Sequence, residues 1–239
     1  MRELPIRDIS VHDENCVRRV PIFSGLTAEQ QDLVATMARP RILADGEFIH
    51  GGNGQTGTMF VVHSGAVKVS RFLPSGRKQL LRVVKPGDTL GEYALLTGNA
   101  PLEEAQAVGD ARLCVFGHDD LTALLDRYPA IAQRMLRTLG ERLAQTEHRL
   151  TLNTQSVEVR IAEYLLQQPV LRPAERVSEG LHIRLPLNKK DIASLLGTTP
   201  ESLSRALGRL RTKGLISIAD DVVTILEPYE LEVLVSGEV

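Results

Sequence analysis

The sequence predicts an α+β protein in three parts: an N-terminal jelly-roll β domain, a long helix, and a C-terminal winged helix-turn-helix. Three observations carry this. Residues 41–116 read as short β-rich runs (FIHGG, MFVVHSGAVKVSRF, KQLLRVVKPGD, ARLCVF) punctuated by Gly46, Gly65, Gly76, Gly87 and Gly91, the texture of a sandwich or jelly-roll barrel. Residues 119–153 then switch to helical periodicity, and residues 188–213 read as two short helices joined by a tight turn. With 239 residues there is room for two domains that each bury a core. The expected divisions are an arm at 1–19, the jelly roll at 20–118, the long helix at 119–155 and the winged domain at 156–239.

Taken in order, residues 1–19 are polar and weakly patterned, so a loose arm holding His12 and Cys16 is expected. VPIFSGLTAEQQDLVATM follows as a short helix, with Thr27 as N-cap and Gln30 three residues on, the arrangement of a capping box. After the strands, Asp119 or Asp120 opens the helical tract, which Pro129 breaks into a short helix and a long one. Leu136, Leu139, Leu143, Thr146 and Leu150 are spaced 3, 4, 3, 4. Such a stripe makes a coiled-coil seam for a second copy, or packs back on the barrel. The hinge to the last domain is expected near 152–157, before an amphipathic helix at 157–168. HIRLPL makes a strand, and GLISIADDVVTIL closes the domain as a hairpin with Asp220 and Asp221 at its tip, which makes the arrangement winged.

Within 188–213, Ile192, Ala193, Leu195 and Leu196 are the apolar positions of the first helix, and Leu203, Leu207 and Leu210 those of the second. Gly197 supplies the turn, and Thr198 or Thr199 caps the second helix ahead of Pro200. Glu201, Ser204 and Arg205, at i, i+3 and i+4, share one face of that helix. A guanidinium bonds guanine in bidentate fashion, a carboxylate accepts from the cytosine amino group, and a serine hydroxyl serves either, so this face suits base edges in a major groove. Lys189, Lys190, Thr199, Arg209, Arg211 and Lys213 surround it as candidate phosphate contacts. Six basic residues between 189 and 213 (Lys189, Lys190, Arg205, Arg209, Arg211, Lys213) against Asp191 and Glu201 give a local balance of +4.

That patch matters because the whole chain carries a net charge of only -2, which rules out binding to nucleic acid through a global positive field. The N-terminus lacks an apolar run after basic residues, and no stretch approaches a membrane span, so a cytoplasmic protein without membrane contact is expected. Two cysteines, Cys16 and Cys114, are too few for a disulfide scaffold and too far apart for a CxxC knuckle. No nucleophile-base pair, HExxH or phosphate-cradling glycine loop is present, so an enzyme is not expected. A protein-binding adaptor without DNA binding is the alternative from another class.

The order of barrel, long helix and winged helix-turn-helix resembles the cyclic-AMP receptor protein and FNR family of bacterial transcription regulators, over nearly the whole chain. GEYALLTG at 91–98 is similar to the family's GE-x-x-LL-x-G segment, and LGTTPESLSRALGRLRTKGLI at 196–216 to the FNR recognition helix. The resemblance implies a sensory barrel of the cyclic-nucleotide-binding type, with Gly91, Glu92, Glu103 and Glu104 at the effector pocket. It also implies double-stranded DNA, a second copy of the chain and RNA polymerase as partners. Glu201, Ser204 and Arg205 fall on the Glu-x-x-Ser-Arg pattern that reads TTGAT half-sites, which implies an operator of about TTGAT-N4-ATCAA.

The pocket is where the resemblance divides. Cyclic-nucleotide binders carry Arg-Ser-Ala where this chain has Glu103-Glu104-Ala105, and two carboxylates repel the anion that the arginine would hold. Cyclic AMP is therefore not expected. FNR holds an iron-sulfur cluster through four cysteines; Cys16 falls near the last of its three N-terminal ones and Cys114 on the barrel one, and the count excludes a four-cysteine cluster within the chain. The resemblance brings the two cysteines close in space, and a reversible dithiol-disulfide switch follows as the expected signal device. By default Cys114, between Leu113 and Val115, is a small core residue and Cys16 a lone thiol. No resident cofactor is expected. The alternative signals are a gas sensed through haem, weakened because His12, His50, His63, His118, His148 and His182 have no ligand spacing, or a small effector in the barrel; a cluster completed by His12 or by a partner subunit is another.

Overall fold

The structure is a computed structural model that describes residues 15–18, 20–50, 57–171 and 180–237. Its contacts divide the chain into two compact units: one formed by Met1–Val69 with Val83–Gly140, the other by Ser70–Arg82 with Glu141–Val239.

The first unit begins with α1 (Asn15–Arg18), a 3-10 turn at Pro21–Phe23 and α2 (Ala28–Met37). The capping box at the start of α2 forms as the sequence predicts. Thr27 Oγ1 accepts from the Gln30 amide at 3.3 Å, and Gln30 Oε1 accepts from the Thr27 amide at 2.9 Å. The arm expected to be loose differs at its end. Val17 and Val20 are buried and pack with Phe23, Val34, Phe116, Leu121, Ile131 and Met135 in one apolar cluster, because two valines beside polar residues are enough to anchor a single helical turn.

The strands are β1 (Arg39–Leu43), β2 (Phe48–His50), β3 (Met59–Phe72), β4 (Lys78–Val84), β5 (Thr89–Leu90) and β6 (Glu104–Phe116). The sheet order is β1-β6-β3-β4, with β2 on β6 and β5 on β3. β1 runs antiparallel to β6 with Pro40 opposite Cys114. A second apolar cluster, including Leu43, Phe60, Val62, Val67, Val84 and Leu113, belongs to the strands. Between β5 and β6 lies α3 (Glu92–Thr97), an element the sequence reading left out. Gly91 precedes it at φ +95°, and a Cβ there would fall 2.2 Å from the Thr58 carbonyl oxygen, so only glycine fits.

α4 (His118–Arg127) starts one residue before the aspartates expected to open it, with Gly117 at the N-cap. Asp119 and Asp120 instead occupy its first turn, where negative charge suits the helix dipole. After Tyr128 comes α5 (Pro129–Leu152). Ile131 and Met135 at its start are buried. Leu136, Leu143 and Leu150 are 69%, 60% and 64% exposed; Leu139 is half-buried, and Thr146 is exposed with its hydroxyl donating back to the Arg142 carbonyl at 2.8 Å.

The second unit contains α6 (Val157–Leu166), β7 (Leu181–Arg184), α7 (Lys189–Leu195), α8 (Pro200–Thr212), β8 (Ile216–Ala219), β9 (Val222–Ile225) and α9 (Pro228–Ser236). Its sheet is antiparallel in the order β7-β9-β8, with Ile183, Val223 and Ile218 side by side. α6 packs on α8 and on α9, and Ile161, Leu165, Ile192, Leu203, Leu210, Val223 and Leu231 are buried. α9 is an element the sequence reading left out. The hairpin tip at 70–82 also belongs to this unit: the Leu80 amide donates to Ser194 Oγ at 2.8 Å, and Arg149 Nη1 donates to the Leu81 carbonyl at 2.8 Å. Among the described residues no helix is long and apolar enough to cross a membrane.

Candidate nucleic-acid interface

The site is built on α7, its turn and α8. Asn188 caps α7, its Oδ1 accepting from the Asp191 amide at 2.8 Å, which ends the preceding loop and starts the helix in one residue. α7 stops at Leu196, and Gly197 follows at φ +63°. The Thr198 amide reaches back to the Ala193 carbonyl at 2.9 Å, the long closing bond of a Schellman turn, which requires the left-handed residue that glycine supplies. Arg160 on α6 fastens this turn from below. Its Nη1 donates to the Leu196 carbonyl at 2.6 Å and to the Gly197 carbonyl at 3.4 Å, so a charged donor satisfies carbonyls left open at the helix end.

Of the two threonines that the sequence leaves open as caps, Thr199 takes the role. Its hydroxyl accepts from the Ser202 amide at 3.2 Å, and Pro200 occupies the first helical position. Leu203, Ala206, Leu207 and Leu210 turn inward and are buried. The opposite face is left to solvent, and it carries Glu201, Ser204 and Arg205, all exposed. Arg205 Nη2 donates to Ser202 Oγ at 3.4 Å. Glu201 sits below the ordinary carboxylate range, chiefly because its own backbone amide and the Thr199 hydroxyl bond its charged form, with the Arg205 charge a lesser cause. The carboxylate is thus held ionised, as an acceptor.

The candidate phosphate contacts divide into two groups. Lys189, Lys190, Thr199 and Arg211 are exposed. Arg209 and Lys213 are exposed over about half of each side chain, yet both are ion-paired with Glu158 at the start of α6: Arg209 Nε with Oε1, and Lys213 Nζ with Oε2 at 2.9 Å. Sequence reading missed Glu158 and Arg160. Their partners lie 51, 55 and 36 positions away, and no local pattern reports such pairings. The wing tip is acidic, with Asp220 at φ +52°, a conformation aspartate tolerates. Asp221 pairs with Arg184 at 3.2 Å.

In the first unit, Glu92 is 5% exposed and bonded by the Thr89 hydroxyl, whereas Glu103 and Glu104 are half-buried where β6 begins. Cys114 is 8% exposed and disulfide-bonded. The sequence offers it one partner within the chain, Cys16 on α1, whose side chain lies outside the described residues. His12 and the side chain of His50 also lie outside them. Among the described residues no group of three or more His, Cys, Asp or Glu side chains is arranged to hold a metal ion.

Two family models match the chain: a Crp-like helix-turn-helix domain over residues 159–234 and a cyclic nucleotide-binding domain over residues 40–128. The cyclic AMP receptor protein of Thermus thermophilus is 30% identical over 220 residues, which cover 91% of this chain and 97% of that protein. The transcriptional activator protein anr of Pseudomonas aeruginosa is 28% identical, covering 90% of this chain and 88% of the relative. Among solved structures, the catabolite activator protein of Thermus thermophilus aligns with a TM-score of 0.52 at 28% identity, over 92% of this chain and 100% of that one. FixK2 of Bradyrhizobium japonicum shares the fold with a TM-score of 0.69 at 24% identity, over 82% of this chain and 96% of that one. With both domains matched and a relative similar along almost its full length, the chain belongs to the CRP/FNR family of DNA-binding transcription regulators.

Proposed function

We propose that the protein is a homodimeric regulator that reads an FNR-like palindrome, about TTGAT-N4-ATCAA, through Glu201, Ser204 and Arg205. The observation that carries this reading is the solvent-facing trio on a helix whose cap, turn and buried face are all otherwise satisfied. Arg205 takes guanine, Glu201 the cytosine amino group, and Ser204 a neighbouring base edge. Lys189, Lys190 and Arg211 meet phosphates and fix the register. The second copy docks along the exposed Leu136, Leu143 and Leu150 edge of α5, and the two-fold axis sets the palindrome.

The signal in this reading is thiol redox state. Cys114 belongs to the same buried cluster as Val17 of α1 and as Ile131 and Met135 of α5. A bond between Cys16 and Cys114 therefore tightens α1 against the residues on which the dimer helix rests, and its reduction releases them. Oxidised and reduced forms then differ in the packing at the base of α5, which is the differential contact that an allosteric signal requires. Glu103 and Glu104 disfavour a cyclic phosphate as the effector.

The test is a binding titration on a labelled TTGAT-N4-ATCAA duplex, with and without a dithiol reductant. Arg205→Ala is expected to weaken binding by about 1–3 kcal/mol per contacted guanine, with the fold unchanged by circular dichroism. Unchanged affinity would mean that Arg205 does not read the operator. Equal affinity in both redox states would remove the switch.

A further inference from the structure

Apart from proline, glycine is the most costly residue inside a helix, and α8 carries one, Gly208, well within its length. Among the described residues nothing accounts for it: a Cβ built at Gly208 meets no atom within 4 Å, and its backbone is not left-handed. This separates it from Gly65, where a Cβ would fall 2.4 Å from the Asp110 carbonyl oxygen, and from Gly197 at φ +63°. Its place on the helix is specific: Gly208 lies at i+7 from Glu201, i+4 from Ser204 and i+3 from Arg205, so it continues their stripe.

We infer that Gly208 is kept bare by the DNA: it is the point of closest approach between α8 and the duplex, and it sets the depth at which the reading face seats in the major groove. The inference rests on the assignment of that face to base reading. A methyl group at this position holds the helix away from the base edges, and the hydrogen bonds that Arg205 donates and Glu201 accepts weaken steeply once stretched past about 3.5 Å. Gly208 is in this sense a specificity-determining residue, although it offers no side chain. The cost of glycine to the helix is the mark it leaves on the free protein.

The experiment uses the full chain as wild type, Gly208→Ala, Gly208→Leu and Arg205→Ala. Each is titrated on the TTGAT-N4-ATCAA duplex and on a duplex with both half-sites scrambled, and its thermal unfolding is recorded. Gly208→Ala is expected to unfold at or above the wild-type Tm, since alanine favours the helix, and to bind the operator at least about tenfold more weakly. Gly208→Leu should be weaker still, and binding to the scrambled duplex should change by less than about twofold. Wild-type operator affinity in Gly208→Ala overturns the inference, as does a lowered Tm, which would mean that the fold itself needs the glycine. If the wild type ignores the operator, or Arg205→Ala binds it normally, the reading face is wrong. If Arg205→Ala fails and Gly208→Ala does not, only the seating depth is wrong.

Discussion

Lys213 Nζ donates to Glu158 Oε2 at 2.9 Å, and Arg209 pairs with the other oxygen of the same carboxylate. One acidic residue at the start of α6 thereby holds two cations, one on α8 and one at its C-cap. The hydrogen bond from Lys213 is the largest influence holding Glu158 below the usual glutamate value; Arg209 adds to it, and partial burial opposes it.

Replacing Glu158 with glutamine should release both cations to DNA. The slope of log Kobs against log salt should steepen by about 1–2, measured on any duplex. Stability should fall by only about 0.5–1 kcal/mol, since both basic partners are more than half exposed. The pH dependence follows in sign. Because the folded value lies below the unfolded 4.5, the contribution is complete above about 4.5 and fades as pH falls through the folded value. In Glu158→Gln this part of the acid sensitivity should disappear.

Reduction of the wild type should lower its stability by about 2–4 kcal/mol if Cys114 is bonded within the chain to Cys16. Cys16→Ser should unfold at the reduced temperature whether or not reductant is present. Equal Tm values for wild type and Cys16→Ser under oxidising conditions would sink the switch.

Leu136→Glu with Leu143→Glu should leave the isolated chain folded, because both side chains are already more than half exposed. The same pair should abolish dimerisation in sedimentation velocity, since two carboxylates per copy cannot be buried without partners. Operator affinity should fall by about a hundredfold or more as the second reader is lost.

Tyr164 on α6 is 8% exposed, its hydroxyl has no hydrogen-bond partner among the described residues, and burial pushes its pKa up to about 12. Tyr164→Phe removes an unsatisfied polar atom and keeps the ring, so it should stabilise the protein by about 1 kcal/mol. Chemical denaturation would record this as a raised midpoint at unchanged slope.

The helix-turn-helix was legible because its signals are local: the Thr199 cap, the Gly197 turn and the leucine spacing each act within a few residues. The Thr27 and Gln30 pair was legible for the same reason. α9 was missed although Pro228 at its start and Gly237 at φ +71° at its end are the expected punctuation, because the hairpin before it already closes a winged arrangement. α3 was missed because six residues between two glycines resemble a turn. Glu158, Arg160 and the Leu80 to Ser194 bond were out of reach in principle, since each joins residues that only the folded chain brings together.

β7 precedes the helix-turn-helix in the chain, yet its ladder partner β9 follows it: Leu181 pairs with Ile225, and Arg184 with Val222. α7 and α8 are therefore bracketed by two strands, one synthesised before them and the other after. As the chain leaves the ribosome, α7 and α8 emerge before the sheet that braces them can close, and β7 must wait for the last strand. A nonsense codon anywhere between 213 and 225 would thus release a product with its barrel complete and its whole recognition helix translated, but with that helix unsupported.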